Sequence, residues 1–343
     1  ALDRLADPDT AVVVTGQQPG VWGGPLYSLY KAATAVALAE TVRAATHGPV
    51  AAVFWMNADD TDWDEVGWGA FPGDDLELVR HRWPSPRGPR RWVGGAKVEV
   101  PEELARRLRA GGAPDGLLGK PEGPGSGDLG DAFAGTLLEY FGEGGLLPLD
   151  ARWPELRAAG APLWRRSVDI HAEVAEQVAA RGRDLTAGGQ SLPLDDAAAS
   201  HGLFLLEDDR RRDLDPSSWE ADVRSALDGG HPERLAPSVL LRAPFQDHLF
   251  GSVAHVVGRG EAAYLRQLEP VYAALGVGEP VRVPRLHATV VPRGLVPLTE
   301  TAEACRDPEL WLAERARTRL PSDALGALRR LESEVEALSL IQI

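Results

Sequence analysis

The chain has 343 residues, of which 44% are hydrophobic and 25% are charged, as in an ordinary soluble globular protein. Its net charge of −15 argues against a general nucleic-acid binder, because such proteins carry a basic surface stripe. No apolar run reaches the ~18 residues of a membrane span. The single cysteine, Cys305, excludes an internal disulfide and a cysteine-based metal cluster. We expect a cytoplasmic protein with neither a membrane nor a nucleic-acid partner.

The first 56 residues predict a strand, a helix and a second strand. Residues 11–14 and 49–56 are short apolar runs, and an alanine-rich segment with helical spacing, residues 26–45, lies between them. Apolar runs without strict alternation are typical of strands that are covered on both faces, as in a parallel sheet. The pattern therefore predicts an α/β protein.

The remaining elements are less regular in order. The patterns predict strands at 76–82, 91–100, 146–149, 238–241, 252–257 and 281–284. They predict helices at 101–110, 131–141, 154–181 (with an interruption at 167–169), 260–275 and 323–343. A glycine- and proline-rich stretch at 111–127 is expected to be an exposed loop, and 202–212 a hairpin. Leucines in the last helix are typical of part of a coiled coil.

The connector between the first strand and the first helix is unusual. Residues 15–27 contain four glycines, two prolines and two glutamines. Glycine allows a ligand to approach the main chain closely, and the start of the following helix suits a phosphate or carboxylate. Lys31 would add a positive charge there. A tight turn that binds no ligand is the alternative.

An acidic segment follows the second strand. Asp59, Asp60, Asp62, Asp64 and Glu65 place five carboxylates within seven residues, where open α/β sheets bind ligands. Crowded carboxylates repel one another, which suits general acid or base catalysis. They could instead hold Mg²⁺, or cap the next helix through Asp60 or Asp62.

Two further segments carry polar groups. Arg242, Gln246 and Asp247 precede a strand, and the turn at 258–261 leads from that strand into a helix that contains Tyr264, a second potential anion site. Arg282 and Arg285 flank a short strand, where one guanidinium could bind a carboxylate or phosphate. The sequence lacks the GxxxxGK[ST], GxGxxG and GxSxG motifs, which disfavours a P-loop kinase, a simple NAD dehydrogenase and a serine hydrolase.

Together these segments resemble the family of cysteine-adding enzymes of bacillithiol biosynthesis. The resemblance runs in the family's order over residues 5 to 290. It is carried by residues 13–18, 24–27, 30–31, 53–55, 60, 62, 64–66, 237–242, 246–247, 260–261, 264, 267–268 and 283–285.

The resemblance implies a Rossmann-like parallel sheet core related to class I aminoacyl-tRNA synthetases and nucleotidyltransferases. It places this core at 1–295, with inserted segments at roughly 68–150 and 195–235. A helical segment at 296–343 would belong to the coiled coil through which the family dimerises. The implied reaction joins L-cysteine to the amine of glucosaminyl-malate, with ATP or ADP bound and the need for Mg²⁺ left open.

The motifs assign site residues by position in this chain. The catalytic set is Asp60, Asp62, Asp64 and Lys31. The substrate- or nucleotide-binding set is Thr15, Gly16, Gln17, Gln18, Gly24, Pro25, Tyr27, Trp55, Asn57, Arg242, Gln246, Asp247, Gly258, Gly260, Glu261, Tyr264 and Arg285. No metal ligand is assigned, since the histidines lack paired metal-binding spacing.

Two departures from the family pattern leave other functions open. Thr61 stands where the family commonly has a histidine, and the region after Gly294 is shorter than the full coiled coil. The chain begins at Ala1 and its only methionine is Met56, so we expect translation to start upstream. The alternatives are a ligase or nucleotidyltransferase for another amino acid and amine, or a non-catalytic metabolite-binding relative.

Overall fold

A parallel β-sheet lies at the centre of the computed structural model, which describes residues 2–72, 78–86, 88, 90–99, 101–104, 106, 128–190, 194, 202–207, 210–212 and 217–288. The strands are β1 (Ala11–Gln17), β2 (Val50–Met56), β3 (Trp68–Pro72), β4 (Leu78–Arg82), β5 (Leu146–Asp150), β6 (Leu203–Glu207), β7 (Arg210–Arg212), β8 (Leu235–Pro237), β9 (Ser252–Val257) and β10 (Val281–Pro284). The helices are α1 (Leu2–Leu5), α2 (Leu26–Thr46), α3 (Trp63–Val66), α4 (Leu129–Phe141), α5 (Pro154–Ala159), α6 (Ala161–Asp169), α7 (His171–Ala187), α8 (Trp219–Asp228), α9 (Val239–Phe250), α10 (Arg259–Gln267) and α11 (Glu269–Leu275).

The central sheet has the strand order β10-β9-β1-β2-β5, and every neighbouring pair is parallel. From β1 the chain first builds outward through β2 to β5, and then returns to the other side of β1 to add β9 and β10. The order therefore reverses beside β1. The predicted α/β class with a Rossmann-like parallel core is confirmed.

The β1–α2–β2 unit confirms the first three predicted elements, with β1 extended to Gln17. Val12, Val13 and Val14 are all at most 2% exposed, because both faces of β1 are covered. This double coverage explains why the strand shows no alternation of polar and apolar residues. The alanines of α2 on its buried face, Ala32 and Ala35, let the helix approach the sheet closely.

Two apolar cores lie on opposite faces of the sheet. On one face, α2 and α4 pack against β1 and β2, and Phe54 meets Phe133 edge to face. On the other face lie α6 to α11, and Trp55 of β2 packs against Phe245 of α9. This helix–sheet–helix layering is the usual way to bury a parallel sheet.

Smaller antiparallel sheets accompany the core. Strands β3 and β4 form a hairpin after α3, and β6 pairs with both β7 and β8. The hairpin predicted at 202–212 is confirmed. The strand predicted at 76–82 is β4, and residues 76 and 77 lie outside the described residues. None of the helices that the structure describes is both long and apolar enough to cross a bilayer.

Two predicted strands are wrong. Residues 238–241 begin α9, because the Ser238 side chain accepts a hydrogen bond from the Leu240 N–H at 3.1 Å and caps the helix. The preceding strand is β8. In 91–100, a 3₁₀ turn at Val93–Gly95 replaces a strand. Gly94 approaches the backbone of Ala58 so closely that a side chain there would collide with it.

Two predicted helices are divided. The helix predicted at 154–181 is α5, α6 and α7, separated at Gly160 and Ile170, so that the interruption falls just after the predicted one. The helix predicted at 260–275 is α10 and α11. Pro270, which lacks an N–H group, occupies the first turn of α11. The predictions at 131–141, 146–149, 252–257 and 281–284 are confirmed by α4, β5, β9 and β10.

Residues Ala1–Leu286 form one compact unit and His287–Ile343 form another. The predicted boundary at 295 stays a prediction. The predicted loop at 111–127, the predicted terminal helix at 323–343 and most of the predicted helix at 101–110 lie outside the described residues.

The close contact of β1 with β2 at Gly16 leads to a prediction. A Cβ at this position would lie 2.7 Å from the Trp55 carbonyl oxygen, so Gly16→Ala forces two paired strands apart. We expect Gly16→Ala to lower the free energy of unfolding by ~1–3 kcal/mol, measured by urea denaturation. The exposed Gly278 has open space around it, so Gly278→Ala is the matched control. Equal stability of the two variants would contradict the prediction.

Candidate functional site

The candidate site lies at the carboxyl ends of β1, β2, β9 and β10. The sheet order reverses between β1 and β9, the position where open α/β sheets bind ligands. The strand pairing is extended at this edge by three contacts. Asn57 N donates to Gln17 O at 3.0 Å, Arg285 N to Val257 O at 2.9 Å, and Thr15 Oγ1 to Val256 O at 2.8 Å.

Lys31 of α2 connects the parts of this edge. Its Nζ lies 2.7 Å from Gly16 O, 3.2 Å from Gln17 Oε1 and 2.6 Å from Glu261 Oε2. The residue is 4% exposed. An ammonium has three N–H donors, and these contacts use all three. Lys31 therefore joins α2, the end of β1 and the start of α10, and its catalytic role stays a prediction.

The N-terminus of α10 is occupied by a carboxylate of its own chain. Gly258 N donates to Glu261 Oε2 at 3.1 Å. Burial alone would raise the pKa of Glu261, but Lys31, His255 and the Gly258 N–H together hold it below its ordinary value. The predicted second anion site thus already contains an anion, and Gly260 lies within the same turn.

Behind Glu261 lies a buried polar chain that joins β9 to α9 and α11. His255 Nε2 is 3.9 Å from Glu261 Oε1, and its Nδ1 is 3.7 Å from Asp247 Oδ2. Tyr272 OH donates to the same Asp247 oxygen at 2.6 Å. Burial, followed by the Asp247 charge, raises the pKa of Tyr272, so its hydroxyl stays a donor. Asp247 therefore connects α9 to α11.

The acidic segment after β2 is held by two arginines. Arg211 of β7 donates to Asp59 Oδ2 at 2.9 Å, and both side chains are buried. Arg242 of α9 donates to Asp60 Oδ2 at 3.2 Å, while Arg211 lies 4.0 Å from Asp60 Oδ1. The N–H groups of Thr61 and Asp62 also donate to Asp60.

Asp60 is consequently a stable anion. Burial alone would raise its pKa, but Arg242, Arg211 and the two backbone N–H groups bring it below the ordinary value of 3.8. The backbone of Thr61 supplies one of these bonds at 2.7 Å, which any residue except proline would provide at that position.

The other two aspartates of the predicted catalytic set face solvent. Asp62 is the N-cap of α3 and accepts from Glu65 N at 3.1 Å. This is the capping role that the sequence offered as an alternative to catalysis. Asp64 is 89% exposed and pairs with Arg82 at 2.7 Å. The structure thus brings Asp60, and neither Asp62 nor Asp64, next to Arg242. Their catalytic roles stay predictions.

A hydrogen-bonded chain links the glycine-rich turn to the acidic segment. Gln17 Nε2 donates to Gln18 Oε1 at 2.7 Å, and Gln18 Nε2 donates to Glu65 Oε2 at 2.6 Å. Since Gln17 also accepts from Lys31, the chain runs unbroken from Glu261 to Glu65. The glycine-rich turn therefore contacts the acidic segment directly, and Lys31 connects it to the turn at 258–261.

The remaining predicted residues surround this chain. Tyr27 OH lies 3.4 Å from Gln17 Nε2, and the Arg285 guanidinium lies over the Tyr27 ring, 5.4 Å from its centroid. Gly24 has a φ of 71°, a value that favours glycine, and Pro25 precedes α2. Tyr264, in α10, has a pKa raised by burial and then by Glu261.

Two amide groups at this edge have unused hydrogen-bonding capacity. Asn57 Oδ1 and Gln246 Nε2 are buried and have no partner among the residues that the structure describes. Gln246 lies one helical turn beyond Arg242 on α9, next to Gly16. A buried polar atom without a partner indicates a position for water or ligand. Trp55 packs in the core, and its Nε1 is likewise unpaired there.

The sequence did not indicate Arg211 or His255, and it named Glu65 only as one of five crowded carboxylates, outside the assigned site residues. Arg211 is the one buried residue in the exposed–buried–exposed pattern of β7, and strand alternation could have indicated it. Glu65 stands three residues after the Asp62 cap, a spacing that directs it back toward the turn. His255 gave no signal, because its two acidic neighbours, Asp247 and Glu261, lie on the helices before and after β9 and only the fold brings them to it.

The site does not fit a metal ion. Within the described ranges, no group of three or more histidine, cysteine or acidic side chains is placed to hold one. Asp59 and Asp60 face guanidinium groups, which repel a cation. We derive no step through Mg²⁺ at this loop.

Lys31 and Glu261 form a testable buried pair. Lys31→Met or Glu261→Gln leaves one charge uncompensated and should cost ~3–5 kcal/mol of unfolding free energy, while the double variant should cost clearly less than the sum. Urea denaturation measures both. The exposed Arg43–Glu40 pair on the same helix is the control, and its Arg43→Met and Glu40→Gln variants should each cost under ~1 kcal/mol. Strict additivity for the Lys31–Glu261 pair would contradict the prediction.

Comparisons with a family profile and with individual proteins point to the same family. Residues 1–286 match the sequence profile of the family described as "Bacillithiol biosynthesis BshC, N-terminal Rossmann-like domain". The chain is 31% identical to a protein of Salinibacter ruber over 84% of this chain and 56% of that protein. It is 30% identical to a protein of Symbiobacterium thermophilum over 96% of this chain and 65% of that protein. It is also 30% identical to a protein of Shouchella clausii over 97% of this chain and 66% of that protein.

All three relatives carry the name "Putative cysteine ligase BshC". The chain spans between about half and two thirds of the length of these relatives. The match covers the sheet and every element that forms the candidate site. The chain therefore belongs to the BshC family of bacillithiol biosynthesis, and its residues 1–286 are the family's N-terminal Rossmann-like domain.

Proposed function

We propose that this chain forms the catalytic core of a ligase that joins the carboxyl group of L-cysteine to the amine of glucosaminyl-malate. The names of the relatives and the resemblance of the site motifs support this function. One structural observation carries it: the glycine-rich turn, the acidic segment and α9 meet at the reversal point of the sheet, through the Gln18–Glu65 and Asp60–Arg242 contacts.

The site offers separate places for acidic and basic groups. Arg242 uses one guanidinium nitrogen on Asp60, and its side chain is 20% exposed. Arg285 stacks over the ring of Tyr27, whose hydroxyl lies 3.4 Å from Gln17 Nε2. Guanidinium groups bind carboxylates through paired N–H donors, so these two residues suit the carboxylates of cysteine and of the malate group. Glu65 and Asp60 suit the amine.

Neutral groups would fix the orientation of the two substrates. The unpaired Asn57 Oδ1 and Gln246 Nε2 provide one acceptor and one donor close to the strand ends. Catalysis would then consist largely of holding the amine and the carboxyl carbon in a reactive geometry, which can supply ~7–11 kcal/mol of the barrier.

Activation of the carboxyl group requires a further reactant. We propose ATP, through an acyl phosphate or acyl adenylate, because amide formation from a free carboxylate needs a leaving group. Any Mg²⁺ would come with the nucleotide phosphates. A homodimer formed through the C-terminal segment and a cytoplasmic location are further proposals, both drawn from the family resemblance.

The reaction can be tested directly with Asp60→Asn. The full chain is incubated with cysteine, glucosaminyl-malate, ATP and Mg²⁺, and amide product is measured by mass spectrometry. Asp60→Asn loosens Arg242, and misplacement of a binding group can cost ~10²-fold in rate, so kcat/KM should fall by about that factor. The exposed Asp228 provides the control, since Asp228→Asn should retain the wild-type rate.

Other outcomes would identify the alternatives. Nucleotide consumption with a different amino acid and amine, and none with this pair, would indicate another ligase or nucleotidyltransferase. Calorimetric binding without turnover for any pair would indicate a metabolite-binding protein. An Asp60→Asn enzyme with wild-type turnover would show that the acidic segment is structural.

A further inference from the structure

The five carboxylates of the acidic segment differ in their partners. Asp59 and Asp60 are bound to arginines, Asp64 pairs with Arg82, and Asp62 caps α3. Glu65 is different. In the described part of the chain its carboxylate forms no ion pair, and its one side-chain hydrogen bond comes from the neutral amide of Gln18.

We propose that Glu65 is the general base that accepts the proton of the attacking amine. This inference rests on the proposed ligase function and deepens it, because it assigns proton transfer to a residue outside the catalytic set that the sequence indicated. Glu65 lies in α3, directly across from the glycine-rich turn, and is partly exposed.

The position of Glu65 is fixed from two sides. Its Oε2 accepts from Gln18 Nε2 at 2.6 Å; Gln18 accepts in turn from Gln17, and Lys31 donates to Gln17. Its backbone N–H is bound by Asp62. Its second oxygen, Oε1, takes part in no hydrogen bond with the described residues, and a base needs one such oriented and accessible lone pair.

The charges around Glu65 suit a base. Burial is the largest effect and raises the pKa of Glu65, and the nearby charges of Asp60 and Asp62 raise it further. The Gln18 hydrogen bond and the Arg242 charge lower this pKa. The net result is a pKa above the ordinary value of 4.5. Tyr27 also faces Glu65, and the Tyr27 pKa is raised by burial and by Glu65, so this neighbour stays neutral. A carboxylate with a raised pKa accepts a proton more readily than an ordinary one.

Asp60 is less suited to this task. Arg242, Arg211 and two N–H groups stabilise its charged form and bring its pKa down, and a base of low pKa is a weak proton acceptor. Asp60 is better placed to hold Arg242 in position.

The chemical step balances. The amine nitrogen of the acceptor attacks the carboxyl carbon of cysteine, which is activated as an acyl phosphate or acyl adenylate, and the new C–N bond forms. The bond from that carbon to the phosphate oxygen breaks, and the oxygen leaves with the electron pair. The nitrogen gives one proton to Glu65 Oε1, which later releases it to solvent.

The test compares Glu65→Gln and Glu65→Asp with wild type in kcat/KM for the amine substrate as a function of pH. Loss of a general base typically lowers the rate by ~10²–10⁴-fold, and Glu65→Gln should fall in that range. Wild type should show an acid limb, with the rate rising as Glu65 loses its proton at a midpoint above 4.5. Glu65→Gln should lack this limb, while Glu65→Asp should keep it at intermediate rate. The exposed Glu139 on α4 is the control through Glu139→Gln.

Thermal stability separates this role from a structural one. Because the folded protein disfavours the charged form of Glu65, its contribution to stability is complete below the unfolded pKa of about 4.5 and is lost as pH rises through the higher folded pKa. Glutamine carries no charge at any pH, so Glu65→Gln avoids the destabilisation caused by the buried charge. Its Tm at pH 7 should therefore equal or exceed that of wild type. A lower activity together with a clearly lower Tm would indicate a structural role and would overturn the proposal.

The outcomes distinguish the two proposals. Product formation by wild type and by Glu65→Gln at equal rates, with the same acid limb, would overturn the role of Glu65 and leave the ligase function intact. Absence of product in wild type would overturn the ligase function, and the role of Glu65 with it.

Discussion

A buried ammonium group organises this protein's functional edge. Lys31 gives its three protons to the carbonyl of Gly16, the amide of Gln17 and the carboxylate of Glu261. A charge this deeply buried is tolerated only when it is paired and fully hydrogen-bonded. The end of β1, the body of α2 and the start of α10 therefore keep one relative arrangement. That arrangement places Gln18 where it can bind Glu65.

Charge balance divides the acidic segment into two parts. Asp59 and Asp60 are neutralised by Arg211 and Arg242, which come from a small added sheet and from α9. Their contacts hold the segment over the strand ends. Glu65 has only a neutral donor and lies nearest to the glycine-rich turn. One part of the segment serves to hold the site together, and the other remains available for proton transfer.

The sequence predicted the fold better than the site. Apolar runs and a glycine-rich connector were enough for β1, α2 and β2, because these elements are defined by local patterns. Residues 238–241 misled because a short run of valine and leucine fits either a strand or the buried start of a helix. The Ser238 cap decided between the two.

The site depended on contacts that local sequence does not encode. Lys31 was expected to face a ligand, but its partner Glu261 is 230 positions away and only the folded chain brings them together. Arg211 reaches Asp59 across 152 positions. Asp62 and Asp64 belong to the acidic segment that suggested catalysis, but both residues are exposed to solvent.

The central claim is that the Gln18–Glu65 and Asp60–Arg242 contacts border one ligand site. The most direct measurement is a crystal structure of the full chain soaked with glucosaminyl-malate. We predict density for the ligand at the carboxyl ends of β1 and β2, with its amine next to Glu65 and a carboxylate on Arg242 or Arg285. Ligand density elsewhere on the protein, with this edge of the sheet empty, would contradict the claim.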